Sequence, residues 1–167
     1  MPIETRQDLL LKSLKAWYDG PKDRLKTLYE IVEGKSKISL RAIDFLCTNY
    51  AKKNDIVYYI GKSPFNLFLM YRGQLKAYSK LQFDPFRRHS RIQIACPHSP
   101  NRKLETTVAQ LNFFKWAFEN KVLDYLTNNL GKIETSMGSI TTKKQNITAS
   151  VKKVAKRHNV KVTVTFQ

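Results

Sequence analysis

Leu10, Leu14, Trp17 and Tyr18 recur at i, i+4, i+7 and i+8, one apolar stripe that predicts a helix from Arg6 to Tyr18. Asp19-Gly20-Pro21 breaks that run, and Pro21 suits the first turn of a second helix carrying Leu25, Leu28, Tyr29 and Val32 up to the stop at Gly34. The two form a helical hairpin. Ser39 caps a third helix with Leu40, Ile43, Leu46, Cys47 and Tyr50 on its apolar face, ending in Lys52-Lys53-Asn54-Asp55. Cys47 on that face reads as a small core residue.

The pattern then shortens. Ile56 to Ile60 is β-branched and aromatic and predicts a strand closed by Gly61-Lys62-Ser63-Pro64. Phe65 to Lys80 fits a helix through Leu67, Met70, Tyr71, Leu75 and Tyr78, although Gly73 and the aromatic content also permit a strand or two, and Gln82-Phe83-Asp84-Pro85-Phe86 is an aromatic turn. Arg91 to Ala95 alternates as a strand, with Cys96 to Asn101 as a loop. Thr106 or Thr107 then caps a long helix from Val108 to about Leu130 that is apolar nearly all round, the expected centre of the core. Gly131 to Thr142 reads as a flexible connection, Asn146 to His158 as a helix, and Val160 to Phe166 as a half-buried strand.

The elements sum to an α+β fold with more helix than strand in a helix-rich single domain. Its expected parts are the hairpin (1–38), a core region (39–131) and a basic C-terminal helix and strand (132–167). At 167 residues and 42% hydrophobic content the chain can bury a real core, which sets it apart from disordered basic tails. No apolar run approaches the ~20 residues that cross a bilayer, and Met1-Pro2-Ile3-Glu4 does not open a secretory signal, so an intracellular protein is expected. Cys47 and Cys96 stand far apart outside any C-x-x-C pair, which argues for reduced thiols.

Charge alters the picture most. Thirty Lys and Arg face 13 Asp and Glu, a formal +17, and a polyanion is the natural means of neutralising such an excess. Tyr71 to Lys103 holds eight basic residues against Asp84 alone, and Lys132 to Lys161 holds eight against Glu134 alone. In the first segment Arg72, Lys76, Lys80, Arg87, Arg88 and Arg91 alternate with Tyr71, Tyr78, Phe83 and Phe86, a mixture that grips phosphates and offers rings to bases. Arg87, Arg88 and Arg91 form the densest cluster, suited to bidentate phosphate contact. Lys143, Lys144, Lys152, Lys153, Lys156 and Arg157 supply a second, diffuse clamp.

Other chemistry is weakly signalled. His89, Cys96 and His98 with Cys47 match no zinc-module spacing, so neither metal nor cofactor is expected. Asp44, Asp55, Asp84, Glu105 and Asp124 are scattered over different elements, Gly61-Lys62-Ser63 lacks the upstream glycine of a P-loop, and an enzyme is not expected. A helix-turn-helix reading would use the helix starting at Thr107, with Asn120-Lys121-Val122-Leu123 as its exit and residues 131–144 as a wing, but that helix has few polar positions for base edges.

The stretches Tyr71 to Lys80, Phe83 to Arg88 and Glu105 to Ala117 resemble a group of small basic uncharacterised proteins of nucleocytoplasmic large DNA viruses, with similarity running from about Ser39 to the C-terminus. No activity is established for that group, so no residue role carries over. The resemblance implies a viral protein of an infected eukaryotic cell, in the viral factory, the nucleus or the virion. The expected function is non-enzymatic, largely sequence-nonspecific binding of nucleic acid, double-stranded DNA first, in genome organisation, packaging or late expression. A capsid-associated or cement protein contacting acidic virion proteins is the alternative, and a metal-dependent nuclease-like enzyme a third.

Overall fold

The computed structural model describes residues 3–96 and 99–139. It is α+β and mostly helical, with two small antiparallel sheets. The chain divides into two units, Met1–Leu130 and Gly131–Gln167.

Helix α1 spans Arg6–Tyr18 and α2 spans Lys22–Val32, as the stripes predict. A capping box starts α1, with the Thr5 side chain accepting from the Asp8 amide and the Asp8 side chain accepting from the Thr5 amide. Gly34, at φ 73°, takes the left-handed conformation that ends α2. The two helices run as a hairpin in which α1 lies mainly against the central helix, while α2 touches both α1 and a strand. Tyr18 donates its hydroxyl to the Leu111 carbonyl at 2.7 Å inside that packing.

The third predicted helix has a widened middle. Helix α3 (Leu40–Phe45) passes through a π-helical stretch, Leu46–Tyr50, into α4 (Ala51–Asn54). The Thr48 hydroxyl takes the Asp44 carbonyl at 2.7 Å, a side-chain claim on the helical acceptor that suits a locally wider turn. Cys47 is fully buried there, as its position predicts.

Strands β1 (Val57–Ile60) and β2 (Ser63–Asn66) form a ribbon with Ile60 opposite Ser63. Gly61-Lys62 is therefore a two-residue hairpin loop, and Gly61 at φ 62° supplies its left-handed first position. Ser63 and Pro64, expected as punctuation, belong to β2, where Pro64 stands opposite Tyr59 in a ribbon of two strands among the described residues. Helix α5 (Leu67–Tyr78) follows, its start capped by the Asn66 side chain accepting from the Leu69 amide.

Strand β3 (Arg91–Cys96) pairs antiparallel with β4 (Ser99–Thr107), with Arg91 opposite Thr107. Sequence reasoning gave Ser99 and Asn101 to a loop and left Arg102 to Glu105 unassigned. Apart from the buried Leu104, residues 101–105 are polar, and cross-strand pairing overrides that poor propensity.

The central helix is the largest correction. Thr107 caps it as expected, its hydroxyl accepting from the Gln110 amide, but it stops at Glu119 as α6 (Val108–Glu119), and α7 (Val122–Asn128) starts anew. Asn120 folds its amide back onto the Trp116 carbonyl at 2.9 Å, and Lys121 lies at φ 56°, so two residues turn a corner that apolar periodicity does not mark. The Tyr58 hydroxyl donates to the Asn120 carbonyl at 2.7 Å, and its ring stacks on Tyr125 at 5.2 Å. Helix α6 is buried at Val108, Leu111, Phe113, Phe114, Trp116 and Ala117, and Phe65, Tyr71 and Phe83 meet its rings. Each fully buried side chain of this size contributes about 1.5–3 kcal/mol.

Residues 130–139 are helical, which corrects the flexible connection expected from 131 onward. Thr135 and Ser139 donate their hydroxyls to the carbonyls of Gly131 and Thr135, at 2.8 and 3.0 Å, so residues read as linker chemistry bond within the helix. The helix expected over 146–158 and the strand over 160–166 lie outside the described residues.

Candidate nucleic-acid interface

The first basic segment is carried by α5 and by a loop, residues 79–90, fastened to the start of α6. Ser79, at φ 60°, ends α5 with its amide on the Leu75 carbonyl. The Asn112 amide then donates to the Gln82 carbonyl at 2.9 Å, and the Asp84 amide to the Ala109 carbonyl at 3.2 Å. Gln110 is wholly buried, donating to the Pro85 carbonyl at 2.8 Å and accepting from the Thr106 hydroxyl at 2.6 Å. Phe83 anchors the loop from below, against Tyr71, Phe113 and Trp116. The expected aromatic turn is thus an ordered platform.

This anchoring sets what the arginine cluster presents. Arg87 is half-buried and donates to the Glu105 carbonyl at 3.2 Å. Arg88 lies 3.3 Å from an oxygen of Asp84, a carboxylate only 3% exposed, and its guanidinium covers Phe86 at 4.8 Å. Arg91 pairs with Glu105 at 2.7 Å. Two of the three arginines therefore carry a carboxylate partner.

Helix α5 presents its charge differently. Arg72 and Lys76 are exposed one turn apart, and Lys80 is exposed just past the helix end. None has an ion-pair partner among the described residues. Phe68, one turn before Arg72, is half-buried with Arg72 and Lys52 of α4 each 5.9 Å from its ring centre.

Lys52 and Phe68 were missed by sequence reasoning, although the four-residue spacing of Phe68 and Arg72 was visible. The rings chosen instead serve the interior. Tyr71 and Phe83 are core residues, Tyr78 is half-buried and stacks on Phe83 at 6.5 Å, and Phe86 lies beneath Arg88. Lys143, Lys144, Lys152, Lys153, Lys156 and Arg157 lie outside the described residues.

The acidic groups near the loop are shifted by their surroundings. Burial raises the Asp44 carboxyl above its ordinary range, Lys80 and Arg88 oppose that rise, and Asp84 adds to it. Burial also pushes the Cys47 thiol up, with Asp44 adding to the effect. Among the described residues no three His, Cys, Asp or Glu side chains gather in a way that would hold a metal ion, so Cys47, His89 and Cys96 are not brought together. The burial of α6 removes the polar face that a recognition helix needs, and the residues proposed as a wing are helical through 139. Among the described residues no helix is long and apolar enough to cross a membrane.

The fold and surface thus define a small, basic, helix-rich α+β protein. Residues 3–164 match the family described as "Family of unknown function (DUF7197)", and the chain belongs to that family. It is 36% identical over 124 residues to "Uncharacterized protein L507" of Acanthamoeba polyphaga mimivirus, covering 70% of this chain and 48% of the relative. The chain thus spans about half the length of that relative. A viral relative agrees with the resemblance carried by residues 71–88 and 105–117. No solved structure matches the chain.

Proposed function

We propose that this chain is a non-enzymatic DNA-binding protein of a large DNA virus, with little sequence preference, acting in genome organisation, packaging or late expression. The observation that carries the reading is the set Arg72, Lys76 and Lys80, exposed and without ion pairs among the described residues, with Arg72 and Lys52 over the Phe68 ring. Unpaired cations release phosphate counterions at full effect, whereas a cation already paired must first give up its carboxylate. The last 28 residues add seven Lys and Arg and no Asp or Glu.

The test is anisotropy of a labelled 30-base-pair duplex against salt. With about six phosphates neutralised, log K against log salt has a slope near −5, and R72A/K76A/K80A lowers its magnitude by about 2.7. R88A/R91A lowers it less, because both side chains are engaged within the protein. A slope near zero, or no binding at low salt, overturns the reading.

A virion glue is the second reading, favoured by exposed apolar side chains on strand β1 and on helix α5. Tyr59 of β1 is 69% exposed, with Val57 two residues before it exposed as well, and Leu69 of α5 is 63% exposed. Such rings and aliphatics suit a protein contact. Association that survives nuclease treatment of particles would favour this reading over DNA binding.

A further inference from the structure

A groove of about 270 Å³ lies between α5 and α6 and is not used by anything above. Met70, Gln74 and Tyr78, one turn apart on α5, face Asn112, Trp116 and Asn120 across it, with Lys115 and Glu119 at 3.7 Å from one another in the same lining. Three carboxamides thus meet over an aromatic wall, an unusual lining for a gap between two helices.

The hydrogen bonds state what the amides offer. Asn112 donates its nitrogen to the Gln82 carbonyl and Asn120 donates its nitrogen to the Trp116 carbonyl, which fixes both groups and leaves each Oδ1 as a free acceptor. Gln74 makes no side-chain hydrogen bond among the described residues, so its donor and acceptor are both free. Two fixed acceptors and one complete amide match a planar ring with exocyclic amines, and Asn and Gln pair with base edges in this way. Tyr78 and Trp116 supply faces or edges for such a ring to rest on. The volume is below that of a drug-sized site and fits one base.

We infer that the groove holds an unpaired nucleobase, so that the nucleic acid this chain prefers is single-stranded. This rests on the nucleic-acid reading and narrows it. Arg72 and Lys76 lie about 160° around α5 from Met70 and Gln74, so the cation available to the backbone beside a bound base is Lys115 in the groove's own lining.

The test uses the full chain carrying W17F, so that Trp116 is its sole tryptophan. Two single strands of equal length and charge are compared, one with bases and one abasic. The base-bearing strand is expected to bind about tenfold tighter or more and to quench Trp116, while the abasic strand does not quench. Q74L removes a side chain with no internal partner. It is expected to abolish the difference between strands and leave the salt slope unchanged.

Equal affinity for the two strands overturns the base pocket while the electrostatic reading stands. If neither strand binds at low salt, the nucleic-acid reading fails, and uncharged adenosine then probes the groove by itself. Quenching by adenosine that Q74L loses supports a base site, and absence of quenching overturns it.

Discussion

Gln110 is the joint between the basic loop and the core, and replacing it measures how firmly that loop is held. The side chain is fully buried and makes two hydrogen bonds, to the Thr106 hydroxyl at 2.6 Å and the Pro85 carbonyl at 2.8 Å. Each contributes a net ~1 kcal/mol, and truncation also leaves the Thr106 hydroxyl and Pro85 carbonyl without their partner, at about 1–3 kcal/mol for a buried group. Q110A is therefore expected to cost about 3 kcal/mol. For a chain of this size that lowers Tm by roughly 6–12 °C, read by far-UV circular dichroism. T106V/Q110A removes the hydroxyl as well as its partner, so it should be less destabilised than the two single effects summed, by about 1 kcal/mol. A Q110A cost below about 1 kcal/mol, or strict additivity in the cycle, would refute the claim that these bonds pin the loop.

Two further outcomes follow from local chemistry. Burial holds the Asp44 carboxyl above the ordinary value of 3.8, so the ionised form is penalised in the folded state and the penalty grows as pH rises through the shifted value. D44N is expected to raise Tm near neutral pH, with the gain vanishing below about pH 4, where Asp44 is protonated in both states. A gain that persists in acid would exclude burial as the cause. Lys121 occupies a left-handed conformation at φ 56°, and K121G should stabilise the chain by about 1 kcal/mol and raise Tm by roughly 2–4 °C. A lower Tm in urea-free buffer would show that the lysine side chain contributes more than its backbone costs.

Helix starts and stops were legible where a local side chain or glycine enforces them. Thr5, Ser39, Asn66 and Thr107 all cap, and Gly34 closes α2. Of these, Ser39, Thr107 and Gly34 were read from the sequence. The corner at Asn120-Lys121 was read only as the exit of the helix-turn-helix alternative and otherwise lay inside one long helix, because its left-handed residue is a lysine and its support comes from Tyr58, 62 residues away. Strand β4 was hidden by Asn101, Arg102 and Lys103, which become a strand only beside β3.

The interface was half legible for a related reason. Local composition marked Arg72, Lys76 and Lys80 correctly as exposed cations, but it had no means of seeing that Arg91 meets Glu105 or that Phe83 turns inward. Lys52 joins Phe68 only through the packing of α4 on α5. The α5–α6 groove likewise brings Gln74 to Asn112 and Asn120 across some 40 positions of sequence.

Among the described residues the β1–β2 ribbon pairs with no third strand, and a two-stranded ribbon alone is marginal in water. Its order comes through Tyr58, whose ring rests on Tyr125 and whose hydroxyl holds the Asn120 carbonyl, and through Phe65, buried against Trp116. Amide hydrogen exchange in the ribbon is therefore expected to follow that of the α6–α7 corner, the two opening as one cooperative unit although neither is near the other along the chain.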